Sequence, residues 1–74
     1  MEKKTFSTIH NIVQAEYDAE SQKLYITFKN HSKYEYREVP KRIWDEIQDC
    51  HESDGIGSIF YGKIKNVYSY ILIK

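Results

Sequence analysis

Between Val13 and Tyr36 apolar and polar residues alternate with a period of two, in three short runs separated by polar turns. Val13, Ala15 and Tyr17 share one face of the first run. Leu24, Ile26 and Phe28 share one face of the second, and Tyr34 and Tyr36 one face of the third. Successive side chains of a strand point to opposite sides of the pleat, so this period marks strands buried on one side. It also restricts register, because a one-residue slip would carry the apolar set to the wrong face. Closing the first hairpin on Asp18 and Lys23 sets Tyr17 opposite Leu24, Ala15 opposite Ile26 and Val13 opposite Phe28. A three-residue loop, Asn30-His31-Ser32, sets Phe28 opposite Tyr34 and Ile26 opposite Tyr36. On the other face it pairs Lys29 with Lys33, Thr27 with Glu35 and Tyr25 with Arg37. A two-residue loop would set Phe28 against Lys33 and mix the faces. Both hairpins thus place their apolar residues on one side, as a three-stranded antiparallel meander requires.

After the meander the period changes. Pro40 suits a first helical turn, where its missing N–H is no loss. Ile43, Trp44, Ile47 and Cys50 or His51 recur at helical spacing, and Asp45, Glu46, Asp49 and Glu52 take the solvated face. The helix is expected to cover the Phe28/Tyr34 layer. Residues 52–57 read as a break, and Ser58 as the cap of a short second helix to Lys65, burying Ile59, Phe60 and Ile64. Asn66 reads as its stop. Val67 to Ile73 is β-branched and aromatic and reads as a C-terminal strand. Residues 1–8 read as a loosely held polar lead-in. The expected fold class is α+β: a three-stranded antiparallel meander packed on one amphipathic helix, then a short second helix and a C-terminal strand.

Seventy-four residues make one domain. A chain of this size buries only about 60% of the surface its unfolded form exposes. One cysteine allows no internal disulfide, so seven Tyr, three Phe and one Trp carry much of the core. The expected core includes Phe28, Tyr34, Tyr36, Trp44, Ile47 and Phe60. The lone thiol and the lack of any apolar run near the ~20 residues of a membrane span point to the cytoplasm. The N-terminus carries no apolar segment of the secretory kind.

The ordered set Ile12, Tyr17-Asp18, Leu24-x-x-x-Phe28, Tyr34-x-Tyr36, Val39-Pro40 and Gly57-x-x-Phe60-x-x-x-Ile64-Lys65 resembles the KTSC domain. The resemblance runs from about Asn11 to Tyr70. That family is named for its occurrence at the C-terminus of some lysyl-tRNA synthetases, and it also stands alone in small bacterial and phage proteins. The resemblance implies a small binding domain, and RNA is the ligand proposed for the family. His31 stands where the family usually has Gly, and Tyr61-Gly62 where it often has Asn and Arg. Residues 52–57 form a longer segment than usual, and Ile71 to Lys74 match nothing in the pattern.

Tyr25 with Lys23, Lys29, Lys33 and Arg37 falls on the outer sheet face, where one ring could stack a base and the cations hold its phosphates. Glu16 and Glu35 share that face, and Tyr25 with Arg37 also fits a cross-strand cation–π pair. Lys63 and Lys65 extend the cationic set. Eleven basic residues balance eleven acidic ones, which argues against a dedicated phosphate binder. Adjacent helical residues such as Cys50 and His51 point about 100° apart, and no Cys or His spacing completes a metal site. Gly55-Ile56-Gly57-Ser58 before a helix could hold an anion but lacks the phosphate-loop lysine; a turn with a cap is the simpler reading. The expectation is a non-enzymatic binding module without cofactor or metal, taking RNA or a nucleotide on the outer face. The alternative is a protein-interaction module, such as a small inhibitor or adaptor, of phage origin. Both faces of the tail are apolar, so it should pair with the first strand or with a second copy in a homodimer or higher oligomer.

Overall fold

The computed structural model describes residues 1–6, 11–50 and 53–74. Thr8, His10, His51 and Glu52 lie outside the described residues. The fold is α+β. In chain order it runs β1 (Glu2–Thr5), β2 (Ile12–Asp18), β3 (Lys23–Phe28), β4 (Lys33–Tyr36), α1 (Lys41–Asp49) and α2 (Ser53–Ile59). A π-helical turn (Phe60–Ile64) and β5 (Tyr70–Leu72) follow. All five strands join one antiparallel sheet in sequence order.

Two strands therefore flank the expected meander. Glu2–Thr5, read as part of the lead-in, forms β1 and pairs Glu2 with Tyr17 through Thr5 with Gln14. The tail strand β5 pairs with β4, not with the first strand: Tyr34 faces Leu72 and Tyr36 faces Tyr70.

The first hairpin keeps Tyr17 opposite Leu24 and Ala15 opposite Ile26, but an irregularity between Ile12 and Gln14 sets Ile12, not Val13, opposite Phe28. The extra residue turns Ile12 into the core, where it is buried, and leaves Val13 half-buried. The Val13 carbonyl accepts the Phe6 N–H at 2.9 Å, the next step of the β1–β2 ladder. The second hairpin is offset by two from the expected pairing, with Ile26 opposite Tyr34 and Leu24 opposite Tyr36. Its loop is Lys29-Asn30-His31. The His31 N–H returns to the Phe28 carbonyl at 2.9 Å, and the Phe28 N–H to the Ser32 carbonyl at 2.8 Å. His31 has φ 72°, the left-handed residue that ends a three-residue hairpin loop.

Helix α1 lies over a different part of the sheet than its spacing implied. Trp44 stacks on Tyr17 of β2, with centroids 5.6 Å apart and planes 14° from parallel. The Tyr17 hydroxyl donates to the Val39 carbonyl at 2.7 Å, which satisfies the polar tip of a buried ring. Ile43, Trp44 and Ile47 are buried beneath the helix. Pro40 stands at the N-cap rather than inside the first turn. Phe60, from the π-helical turn, covers Phe28 and Tyr36 instead.

Gly55 to Ser58 lies inside α2, so these residues form neither a loop nor a cap. Ile56, Phe60 and Ile64 are the buried line of α2 and the turn that follows, with Ile59 half-buried. The Lys65 N–H bonds the Phe60 carbonyl at 2.8 Å, the i to i+5 link that widens the last turn. Asn66, at φ 66°, ends the run as its sequence position implies. No helix of the described residues is long and apolar enough to cross a membrane.

Candidate functional site

The outer sheet face is a network of charge pairs. Glu35 accepts from Arg37 Nε at 3.0 Å and has Lys23 Nζ at 3.9 Å. Glu16 accepts from Lys33 Nζ at 2.8 Å and from Gln14 Nε2 at 2.9 Å. Lys33 also sits 5.4 Å above the Tyr25 ring. Tyr25 lies opposite Glu35 and not Arg37, a consequence of the hairpin offset. The Arg37 hydrogen bond, helped by Tyr25 and Lys23, holds the Glu35 carboxyl below the usual range despite its burial. The Lys33 hydrogen bond does the same for Glu16. Burial first, then the bond to Glu35, pushes the Tyr25 hydroxyl up. Three of the candidate cations, Lys23, Lys33 and Arg37, are thus matched to two carboxylates. Lys63 is paired with Glu46 of α1.

The remaining two, Lys29 and Lys65, come together elsewhere. Both border a cleft of about 520 Å³ at the inner-face end of the sheet. Its aromatic lining is Phe28 of β3, Tyr34 and Tyr36 of β4, Phe60 and Tyr61 of the π-helical turn, and Tyr70 of β5. Neighbouring rings meet edge-on: Phe28 and Tyr34 at 5.5 Å and 88°, Phe28 and Phe60 at 5.6 Å and 76°, Tyr36 and Phe60 at 5.6 Å and 82°. Edge-to-face contacts satisfy the ring quadrupoles and hold the box in one shape. Tyr70 leans on both Tyr34 and Tyr36 at 5.6 and 5.5 Å, yet is 55% exposed, as is Tyr61 at 54%.

This explains why the expected core divides in two. Trp44, Ile47, Phe60 and Tyr36 are buried, while Phe28 and Tyr34 remain half-buried because they line an open cleft. Burial pushes the Tyr36 hydroxyl up to about 12, so it stays a neutral donor. Lys65 Nζ lies 5.2 Å from the Tyr61 ring centroid. Among the described residues neither Lys29 nor Lys65 makes an ion pair. The side-chain amides of Asn11, Asn30 and Asn66 complete the rim. Such a site can stack a planar ring on the exposed Tyr70 or Tyr61, meet its polar edge and hold an attached anion. The alternation and helix spacing located most of these rings but gave no reason to join them with Lys29, Asn11 or Asn66.

Cys50 is half-buried, its Sγ donates to the Ile47 carbonyl at 2.9 Å, and burial pushes its thiol up. That is the environment of an inert thiol rather than a nucleophile. Among the described residues no three His, Cys, Asp or Glu side chains cluster as metal ligands.

The KTSC domain family model matches residues 10–68. A KTSC domain protein from Yersinia pestis has a similar crystal structure, with a TM-score of 0.83 and 25% identity, over 99% of this chain and 97% of that one. No curated protein matches the sequence.

Proposed function

The chain belongs to the KTSC domain family, and we propose that it is a small non-enzymatic module that binds an unpaired nucleobase carrying a phosphate. The ligand is single-stranded RNA or a nucleotide, and the cleft, not the outer sheet face, takes it. The observation behind this reading is the meeting of a ring box with Lys29 and Lys65 at one opening. A base stacked on an aromatic ring contributes about 1–3 kcal/mol, and a lysine adds salt-sensitive attraction for the phosphate. The outer face offers one ring, Tyr25, already covered by Lys33, and cations already matched to carboxylates. A neutral chain can still bind phosphate when two cations without an ion pair among the described residues, Lys29 and Lys65, lie at one mouth. The module acts in the cytoplasm, where Cys50 stays reduced.

Fluorescence anisotropy with labelled single-stranded RNA and with a labelled mononucleotide tests this at low and high salt. Tyr70→Ala should weaken binding about tenfold or more. Lys29→Glu with Lys65→Glu should weaken it further and flatten the salt dependence. Lys23→Glu, on the outer face, should change little. RNA bound far more tightly than the mononucleotide identifies a strand as the ligand; equal affinities identify the nucleotide. Failure of the wild type to bind either at low salt refutes the reading.

A second reading, a protein-interaction module, is favoured by one feature outside the cleft. Beyond Tyr70, the apolar tail keeps Ile71, Leu72 and Ile73 exposed.

A further inference from the structure

The two edges of the sheet are unlike. The β1 edge is Glu2-Lys3-Lys4-Thr5, in which Glu2, Lys3 and Thr5 are exposed. Charged side chains of this kind discourage a foreign strand from pairing. The β5 edge carries no charge from Val67 to Ile73. Tyr70, Ile71, Leu72 and Ile73 are each 42–59% exposed although the strand is paired to β4 on its other side. An edge that is apolar on both faces and open along its backbone is a template for another strand.

The ladder fixes which backbone groups remain open. Arg37 N–H bonds the Ser69 carbonyl at 2.9 Å, and Ile73 N–H bonds the Lys33 carbonyl at 2.9 Å. Odd-numbered residues of the tail therefore turn toward β4. Antiparallel ladders alternate, so Tyr70 and Leu72 direct their N–H and C=O groups away from the sheet.

We propose that β5 pairs antiparallel with β5 of a second copy, about a two-fold axis at Ile71, to form one continuous sheet. In that register Tyr70 of each copy faces Leu72 of the other, and each such pair exchanges both of its open backbone bonds. The two Ile71 residues meet as a non-hydrogen-bonded pair, with Cα atoms about 4.5 Å apart. Tyr70 and Leu72 cover each other on the inner face; Ile71 and Ile73 are covered on the outer. At roughly 100 Å² for each half-exposed large side chain, Tyr70 to Ile73 of the two copies bury about 800 Å², the size of a weak, concentration-dependent interface. The occupant is a second copy because the contact is self-complementary and closes. Pairing β5 with the charged β1 edge would instead extend without closure. Zero net charge leaves no long-range repulsion between copies. The interface shares Tyr70 with the cleft but rests on the strand's free edge, and stands whether or not the cleft binds a nucleotide.

Light scattering of the full chain from micromolar to millimolar concentration should report twice the chain mass. Leu72→Asp leaves every bond to β4 in place and sets a carboxylate against the partner's Tyr70 ring. It should raise the dimer dissociation constant at least tenfold while the far-ultraviolet circular dichroism stays unchanged. Independently, Ile71→Cys in a Cys50→Ser background should oxidise to a covalent dimer, because a non-hydrogen-bonded pair brings the Cα atoms within disulfide reach. Ile73→Cys in the same background lies opposite Ser69 of the other copy and should not. A monomer at millimolar concentration overturns the proposal, including one that captures a strand of another protein. So does a dimer that Leu72→Asp leaves intact or that cross-links through position 73 rather than 71.

Discussion

At Gly55 helix propensity and packing pull in opposite directions. Glycine inside α2 should cost about 1 kcal/mol relative to alanine. A Cβ built at Gly55, however, would lie 2.7 Å from the Cys50 Cβ, closer than real carbon atoms approach. The neighbour cannot swing away, because a Cβ moves only with its backbone. Packing therefore wins, and Gly55→Ala should destabilise the protein by about 1–3 kcal/mol in urea melts. Cys50→Ala should not relieve the loss, since it keeps the Cβ; Cys50→Gly should relieve part of it, a coupling that a double-mutant cycle reads directly. A stabilising Gly55→Ala would show that α2 does not approach Cys50 this closely. The same glycine misleads a reading from sequence. Gly55 and Gly57 look like breakers, whereas the first is there to let two elements touch.

At the scale of the elements, what was legible depended on whether the signal was local. The inner faces of β2, β3 and β4 could be read because alternation states them residue by residue. The two-residue offset of the second hairpin could not, because an even shift leaves every side chain on its own face. The left-handed His31 and the Asn30 side chain, which accepts the Ser32 N–H at 3.1 Å, fix that loop. β1 has no apolar member to alternate, and its role lies in a contact far along the chain. Lys4 Nζ donates to the Gln48 carbonyl at 2.6 Å and also to the Cys50 carbonyl, so a cation from the edge strand closes the end of α1. Those carbonyls have no partner within the helix, and a positive charge there also complements the helix dipole. Lys4→Met keeps the stem and removes the donors. It should lower stability by about 0.5–2 kcal/mol, read as a reduced urea midpoint with an unchanged slope. An unchanged midpoint would mean that β1 contributes nothing to α1.

Across the whole molecule, the paired carboxylates and the aromatic box lie on opposite faces of the sheet, and only on the box side do Lys29 and Lys65 border a cleft. Its rings come from β3, β4, the π-helical turn and β5, so Tyr34-x-Tyr36 was visible as a motif while the cleft around it was not. Paired carboxylates lie on one side, and a buried phenol lies on the other, which sets two opposite pH limits. Glu16 and Glu35 are held below their ordinary value of 4.5 by hydrogen bonds from Lys33 and Arg37. Their contribution is present above about pH 4.5 and is lost as pH falls through their folded values, where the native state must take up protons. Tyr36 is raised by burial from 10.0 to about 12. Between these values the unfolded chain releases the phenolic proton and the folded chain keeps it, so stability falls as pH rises. About 2–3 kcal/mol should disappear across that window. Urea melts at successive pH values should therefore fall away at both ends, and the two limbs should separate by mutation. Glu35→Gln should shallow the acid limb and leave the Tyr36 part of the alkaline one, removing only the share that Glu35 gives Tyr25. Tyr36→Phe should shallow the alkaline limb, with a remainder from Tyr17 and Tyr25, whose hydroxyls are also raised by burial. An alkaline limb unchanged in Tyr36→Phe would mean that this hydroxyl is not buried in solution and that the floor of the cleft is open to water.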